Sequence, residues 1–276
     1  MGQLLDFYLK NNGIDQDKKE IVSCYEQLIQ QSHPRNEKIN ILELGAGQVG
    51  ASVKMWKEYY YNANVYSFDP FFLPDQEVTP DELRSFNITP IQGNQLSRED
   101  LFNAGTQIIK ETGKGIDFVI DDAAHMPDAI QISIGTLFPL MNANGVYFVE
   151  DLNTALRRNM DIEAVNENLI TIDPHQKMSL RHSNDIQFFD AIHHLARKGK
   201  WISNILNDSE INYLSNSIVY ATIIGKQVEF KNALIRRTND QAHKEEVVIE
   251  FDMPYVGVLR KSQLENASES IFSKEQ

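Results

Sequence analysis

Lys38-Ile39-Asn40-Ile41-Leu42-Glu43-Leu44, followed at once by Gly45-Ala46-Gly47-Gln48-Val49-Gly50, decides the fold class. Four apolar side chains within seven residues predict a short buried strand. The glycines predict a tight turn whose backbone can approach a ligand closely. The amphipathic segment beyond them, carrying Val53 and Trp56, predicts a helix that starts at that turn. Strand, glycine turn and helix form the first unit of a doubly wound α/β sheet.

The same alternation continues downstream. Asn64–Phe68 reads as a second strand ending in Asp69, and Ile88–Gln92 as a third, followed by Gly93-Asn94-Gln95. A helix over Arg98–Glu111 leads to a strand at Ile116–Ile120. A further helix over Ala129–Met141, closed by Asn144-Gly145, leads to a strand at Val146–Val149. This pattern predicts a Rossmann-like, mostly parallel sheet. Beyond it, 152–180 reads as irregular and Asp185–Lys198 as a helix packing Phe188, Phe189, Ile192 and Leu195 on the sheet. Asn216–Ile224, Gly225-Lys226 and Gln227–Lys231 read as an antiparallel hairpin, and Glu246–Leu259 has strand character interrupted around Pro254. Two helices precede the sheet, with Leu4, Leu5, Tyr8 and Leu9 on one face of the first. Ile21, Val22, Tyr25, Leu28 and Ile29 share a face of the second, and such helices cap a sheet or mediate contacts between copies. The expected division is an N-terminal helical segment at 1–37, a core at 38–235 and a C-terminal extension at 236–276.

Composition narrows the partners. A formal net charge of −13 argues against nucleic acid and anionic membranes, both of which would repel the chain. The single cysteine, Cys24, rules out an intrachain disulfide and reads as packing. No apolar run approaches the ~18 residues needed to span a bilayer, and the N-terminus shows no signal pattern. The expected location is the cytoplasm, and the expected partner is a small molecule.

Asp69 lies 22 residues after Gly47, at the end of the second strand, where a carboxylate can accept from both hydroxyls of an adenosine ribose. The glycine turn alone is compatible with NAD or S-adenosylmethionine. Glu43 suits the cationic amine of the second and would be awkward beside a pyrophosphate, so the methyl donor is preferred to a dehydrogenase cofactor. Two acidic stretches then end later strands: Asp121-Asp122-Ala123-Ala124-His125 and Glu150-Asp151. In an open α/β sheet both fall on the edge where ligands bind. Asp122 and Glu150 are 28 residues apart, one β-α-β step, so they are expected on adjacent strand ends. Asp122, Glu150 and Asp151 form an all-oxygen set suited to Mg²⁺ or Mn²⁺. Beside them, His125 can serve as general base. The alternative is that each acid caps a helix or closes a turn.

The Asp-Asp-Ala-Ala-His stretch, the Glu-Asp pair and Gly93-Asn94-Gln95 together resemble the metal-dependent sugar O-methyltransferases of macrolide biosynthesis. The resemblance covers about residues 38–235. It implies the class I methyltransferase fold, S-adenosylmethionine as methyl donor and a glycosylated, hydroxylated acceptor, with a vicinal diol facing the metal. It further implies Asp122, Glu150 and Asp151 as magnesium ligands and His125 as base. Gly45, Gly47, Asp69, Asn94 and Gln95 are assigned to the cofactor, with Glu43 and Asp121 beside them. The family often carries Ser or Gly where this chain has Ala123 and Ala124. Catechol-type O-methyltransferases share the metal and the diol but use an assisting lysine, and no lysine stands beside the acidic stretches in the sequence. A pseudo-methyltransferase that binds cofactor without turnover is the non-enzymatic alternative.

Overall fold

A computed structural model describes residues 2–12, 16–29, 33–71, 76–152, 188–224 and 256–262. Strand β1 (Asn40–Leu44) is the centre of the sheet. It pairs in parallel with β2 (Asn64–Asp69) on one side and β4 (Ile116–Asp121) on the other. β3 (Ile88–Gln92) extends the sheet beyond β2, and β5 (Met141–Val149) extends it beyond β4. An antiparallel pair, β6 (Ile218–Ile224) and β7 (Val256–Lys261), completes the order β3-β2-β1-β4-β5-β7-β6. The mostly parallel sheet with an antiparallel C-terminal pair is the architecture expected from sequence.

Every residue of β1 is buried because helices cover both faces. On one face Ile41, Phe118, Ile120 and Phe148 pack with α1 (Gln3–Lys10), α2 (Gln16–Ile29) and α3 (Ala51–Tyr59). On the other, Leu42, Leu44, Val119, Tyr147 and Val149 pack with α5 (Arg98–Thr112) and α6 (Pro127–Leu137). A short α4 (Pro80–Ser85) precedes β3, while α7 (Phe188–Lys198) and α8 (Asp208–Ser217) lie before β6. No helix of the described residues is long and apolar enough to cross a membrane.

Three expectations are corrected. The helix before β5 ends at Leu137, and a 3₁₀ turn at Phe138–Leu140 leads straight into the strand. Met141 already pairs with Ile116, so Asn144-Gly145 is an irregularity inside β5. Asn144, at φ +63°, absorbs it. Leu9 is exposed, and the first helix buries only Leu4 and Tyr8 of its apolar stripe. The strand paired with β6 is Val256–Lys261, which belongs to the sheet although it lies beyond residue 235. The expected partner Gln227–Lys231 and its Gly225-Lys226 turn lie outside the described residues, as does 153–180. Of Cys24 and Phe189 the structure describes only the backbone.

Candidate active site

The ends of β1, β4 and β5 are stitched together by their backbones. Asp122 N donates to Leu44 O at 3.0 Å, and Glu150 N donates to Asp121 O at 2.9 Å. Gly45, at φ +89°, lets the β1 loop touch the β4 loop, since a Cβ there would sit 2.2 Å from the Asp122 carbonyl oxygen. Gly47, at φ +61°, is different: a Cβ there would meet nothing within 4 Å. The first glycine therefore closes the loop onto its neighbour, and the second presents bare backbone to open space.

Asp69 stands beside this turn, 3% exposed. Its Oδ2 accepts from Ala46 N at 2.8 Å, and its Oδ1 accepts from Phe71 N at 2.6 Å and Gln76 Nε2 at 3.0 Å. Three donors leave about one of a carboxylate's four acceptor positions for a ligand. Asn94 is exposed and shapes the entry to α5. Its Oδ1 accepts from Leu96 N, and its own N–H donates to Asp100. Gln95 is buried. It donates to Asp121 Oδ1 at 2.6 Å and Ser133 Oγ at 3.0 Å, and accepts from Ala124 N at 2.9 Å. Tyr147 OH donates to the other Asp121 oxygen at 3.0 Å. Burial pushes the Asp121 carboxyl up to about 7, against the pull of these hydrogen bonds. Gln95 and Asp121 thus hold the loop that carries His125.

Asp122, His125 and Asp151 form a half-exposed group whose ligand atoms lie within 4.8 Å of one another. His125 Nε2 is 3.6 Å from Asp151 Oδ2 and 3.9 Å from Asp122 Oδ1. His125 and Asp151 hold positive φ, +52° and +51°, a conformation L-residues rarely adopt. Such strain persists where surrounding structure enforces it, and it concentrates at functional sites.

Glu150 lies behind this group, joined to Asp122 through Lys18. Its carboxylate is 1% exposed and accepts hydrogen bonds from Lys18 and Tyr25 of α2. Lys18 Nζ also donates to Asp122 Oδ2 at 2.8 Å. Burial alone would lower the Lys18 pKa, but Asp122, Glu150 and Glu43 together hold it well above the ordinary lysine value. One ammonium cannot neutralise three carboxyls. Burial therefore still pushes Glu43 up to about 7, and burial with the Asp122 charge raises Glu150 despite its partners.

The sequence reading missed Lys18 and Tyr25. A lysine does stand beside the acidic stretches, brought there from 104 residues away. Its signal was present: Lys18, Ile21, Val22 and Tyr25 follow i, i+3, i+4, i+7 spacing, which places the lysine on the apolar stripe of α2.

The residues fit the groups expected of them. Two carboxylates and an imidazole can hold a divalent cation. Glu43 Oε2 is buried and accepts no hydrogen bond among the described residues, which suits a cationic donor. Gly47 leaves room for a ligand against its backbone.

No family model matches the chain. It is similar to curated sugar O-methyltransferases of macrolide and tetracenomycin pathways. It is 34% identical over 127 residues to mycinamicin VI 2''-O-methyltransferase of Micromonospora griseorubida, a match covering 44% of this chain and 29% of that protein. Over a stretch of the same length it is 31% identical to demethylmacrocin O-methyltransferase of Streptomyces fradiae, with the same shares. A third relative is 8-demethyl-8-(2-methoxy-alpha-L-rhamnosyl)-tetracenomycin-C 3'-O-methyltransferase of Streptomyces olivaceus. It is 32% identical over 127 residues, covering 44% of this chain and 30% of that protein. The matches therefore span less than a third of these relatives' length. Among solved structures, MycE methyltransferase of the mycinamycin biosynthetic pathway, in complex with Mg and SAH, superposes with a TM-score of 0.55. Its identity is 20%, and the superposition covers 95% of this chain and 55% of that one. At that identity the likeness shows a shared class I methyltransferase fold.

Proposed function

We propose that the protein is an S-adenosylmethionine- and divalent-cation-dependent O-methyltransferase acting on a sugar hydroxyl of a glycosylated small molecule. The observation that carries this reading is the Asp122, His125 and Asp151 group at the carboxyl ends of β4 and β5. Similarity to enzymes that methylate glycosylated macrolides and tetracenomycins supports the acceptor class.

Gly45 and Gly47 would let the β1 loop lie against the methyl donor, with Glu43 and Asp69 as its polar anchors. Asp122 and Asp151, with Glu150 behind them, would hold the cation, and neighbouring hydroxyls of the acceptor would face it. When bound, the cation would make an acceptor hydroxyl more acidic and the donor would supply an activated methyl. His125 would take the acceptor's hydroxyl proton at an imidazole nitrogen. Asp151 and Asp122, within 4 Å of the imidazole, stabilise the imidazolium that results. The chain's contribution is alignment and charge compensation.

A catechol-type reaction is the second reading, because Lys18 does lie beside the acids. Lys18 is buried, and its ammonium is shared between Asp122 and Glu150. A transfer screen with Mg²⁺ over glycosylated natural products and catechols separates the two. Methylation of glycosides and not of catechols is expected, and the reverse overturns the sugar assignment. Calorimetry is expected to show binding of S-adenosylhomocysteine and none of NAD. Cofactor binding without turnover on any acceptor would favour a pseudo-methyltransferase.

A further inference from the structure

Lys18 belongs to a helix that neither the acidic stretches nor the glycine turn include, yet its ammonium lies on the carboxylates assigned to the cation. It reaches Asp122 Oδ2 at 2.8 Å and bonds Glu150, with only 6% of its own surface exposed. Tyr25, about two helical turns further along α2, bonds the same Glu150 oxygen and is itself fully buried. α2 therefore delivers a charge and a hydroxyl to one point, and Glu150 is held away from the half-exposed group.

Two ligand sets follow. While Lys18 stays in place, the atoms left to a cation are those of Asp122, His125 and Asp151, and the imidazole is consumed as a ligand. If Lys18 withdraws, Glu150 can join Asp122 and Asp151 in an all-oxygen set, and the imidazole remains available as a base.

We propose that Lys18 is the positioning residue of this site, an internal counter-cation that a divalent ion must displace from Asp122 and Glu150. The proposal rests on the metal-dependent reading given above. Lys18 then decides whether His125 is a ligand or a base. An ammonium and a metal ion cannot share the same carboxylate oxygens without strong repulsion in a buried setting. The lysine offsets part of the charge of the acid cluster.

The test is amine acylation of the full chain followed by mass spectrometry, in chelator and then in saturating Mn²⁺. Lys54 provides the internal control. It is equally shielded at 6% exposure, but it bonds Glu82 and Val49 O, away from the acids. The expected result is several-fold faster acylation of Lys18 in Mn²⁺, with Lys54 unchanged. In parallel, Lys18→Met should bind Mn²⁺ more tightly than wild type, by on the order of tenfold, because one buried like charge is gone. Mn²⁺ binding to the wild type with Lys18 still shielded overturns the proposal and leaves the metal reading intact. Failure of both proteins to bind Mn²⁺ overturns the metal reading and the proposal with it. The acylation measurement uses wild-type protein, so it decides the question even if the methionine variant does not fold.

Discussion

Two acidic regions lie side by side at the same sheet edge and have opposite characters. The outer one, Asp122, His125 and Asp151, is half-exposed, and two of its three residues are in the left-handed region. The inner one, Glu43 and Glu150 with Lys18 and Tyr25, is buried. Each acidic dipeptide contributes to the split. Along β4, Phe118 and Ile120 face the α1–α3 layer, so Asp121 faces the α5–α6 layer and meets Tyr147 and Gln95. Along β5, Phe148 faces the α1–α3 layer, so Glu150 meets Lys18 and Tyr25. Asp122, the residue after β4, and Asp151, two residues after β5, are released from that alternation and lie half-exposed at the opening. Adjacent carboxylates in sequence are therefore different chemical groups in space.

The sharpest way to break this division is to remove the outer imidazole. His125→Ala should lower methyl transfer by about 10²–10⁴-fold, the usual worth of a positioned general base. S-adenosylhomocysteine affinity should stay near the wild-type value, because no cofactor anchor is touched. Radiolabel transfer and calorimetry on the same preparation read both. If turnover survives, the outer region is not the reacting one.

A smaller effect is expected from the layer behind the outer region. Gln95→Ala removes the contacts to Asp121, Ser133 and the Ala124 backbone, leaving buried polar groups short of partners. A loss of about 1–3 kcal/mol in denaturant unfolding is expected. Turnover should fall as well, because the loop carrying His125 loses its anchor. Unchanged turnover with reduced stability would show that Gln95 only supports the fold.

These two sites also show what could be read in the sequence. The strands were legible because burial on both faces forces continuous apolar runs, and their ends were legible because Asp121-Asp122 and Glu150-Asp151 interrupt those runs. Gly45 and Gly47 were legible as a turn, but not as two different devices, since only packing shows that one closes on Asp122 while the other faces open space. Gln95 is assigned to the cofactor from the motif after β3, and only packing shows that its side chain also engages Asp121, Ser133 and Ala124. Lys18 escaped because its partners lie 104 and 132 residues away, and no local pattern encodes a contact of that range. A lysine on an apolar helical stripe is a usable sign of a buried counter-charge.

The finest effect concerns the inner region alone. Burial raises Glu43 from 4.5 to about 7 in the folded protein. Between those values the folded chain keeps a proton that the unfolded chain releases, so stability falls as pH rises through about 7. A glutamine there is neutral at every pH. In chelator, Glu43→Gln and wild type should melt at similar temperatures near pH 5. By pH 8 the variant should melt higher by about 2–4 °C, the shift expected for roughly 1 kcal/mol in a domain of this size. The difference must grow with pH to support a buried, strained carboxylate. A constant offset would mean that Glu43 is already ionised at pH 5, and that Lys18 compensates the inner acids more fully than their burial opposes them.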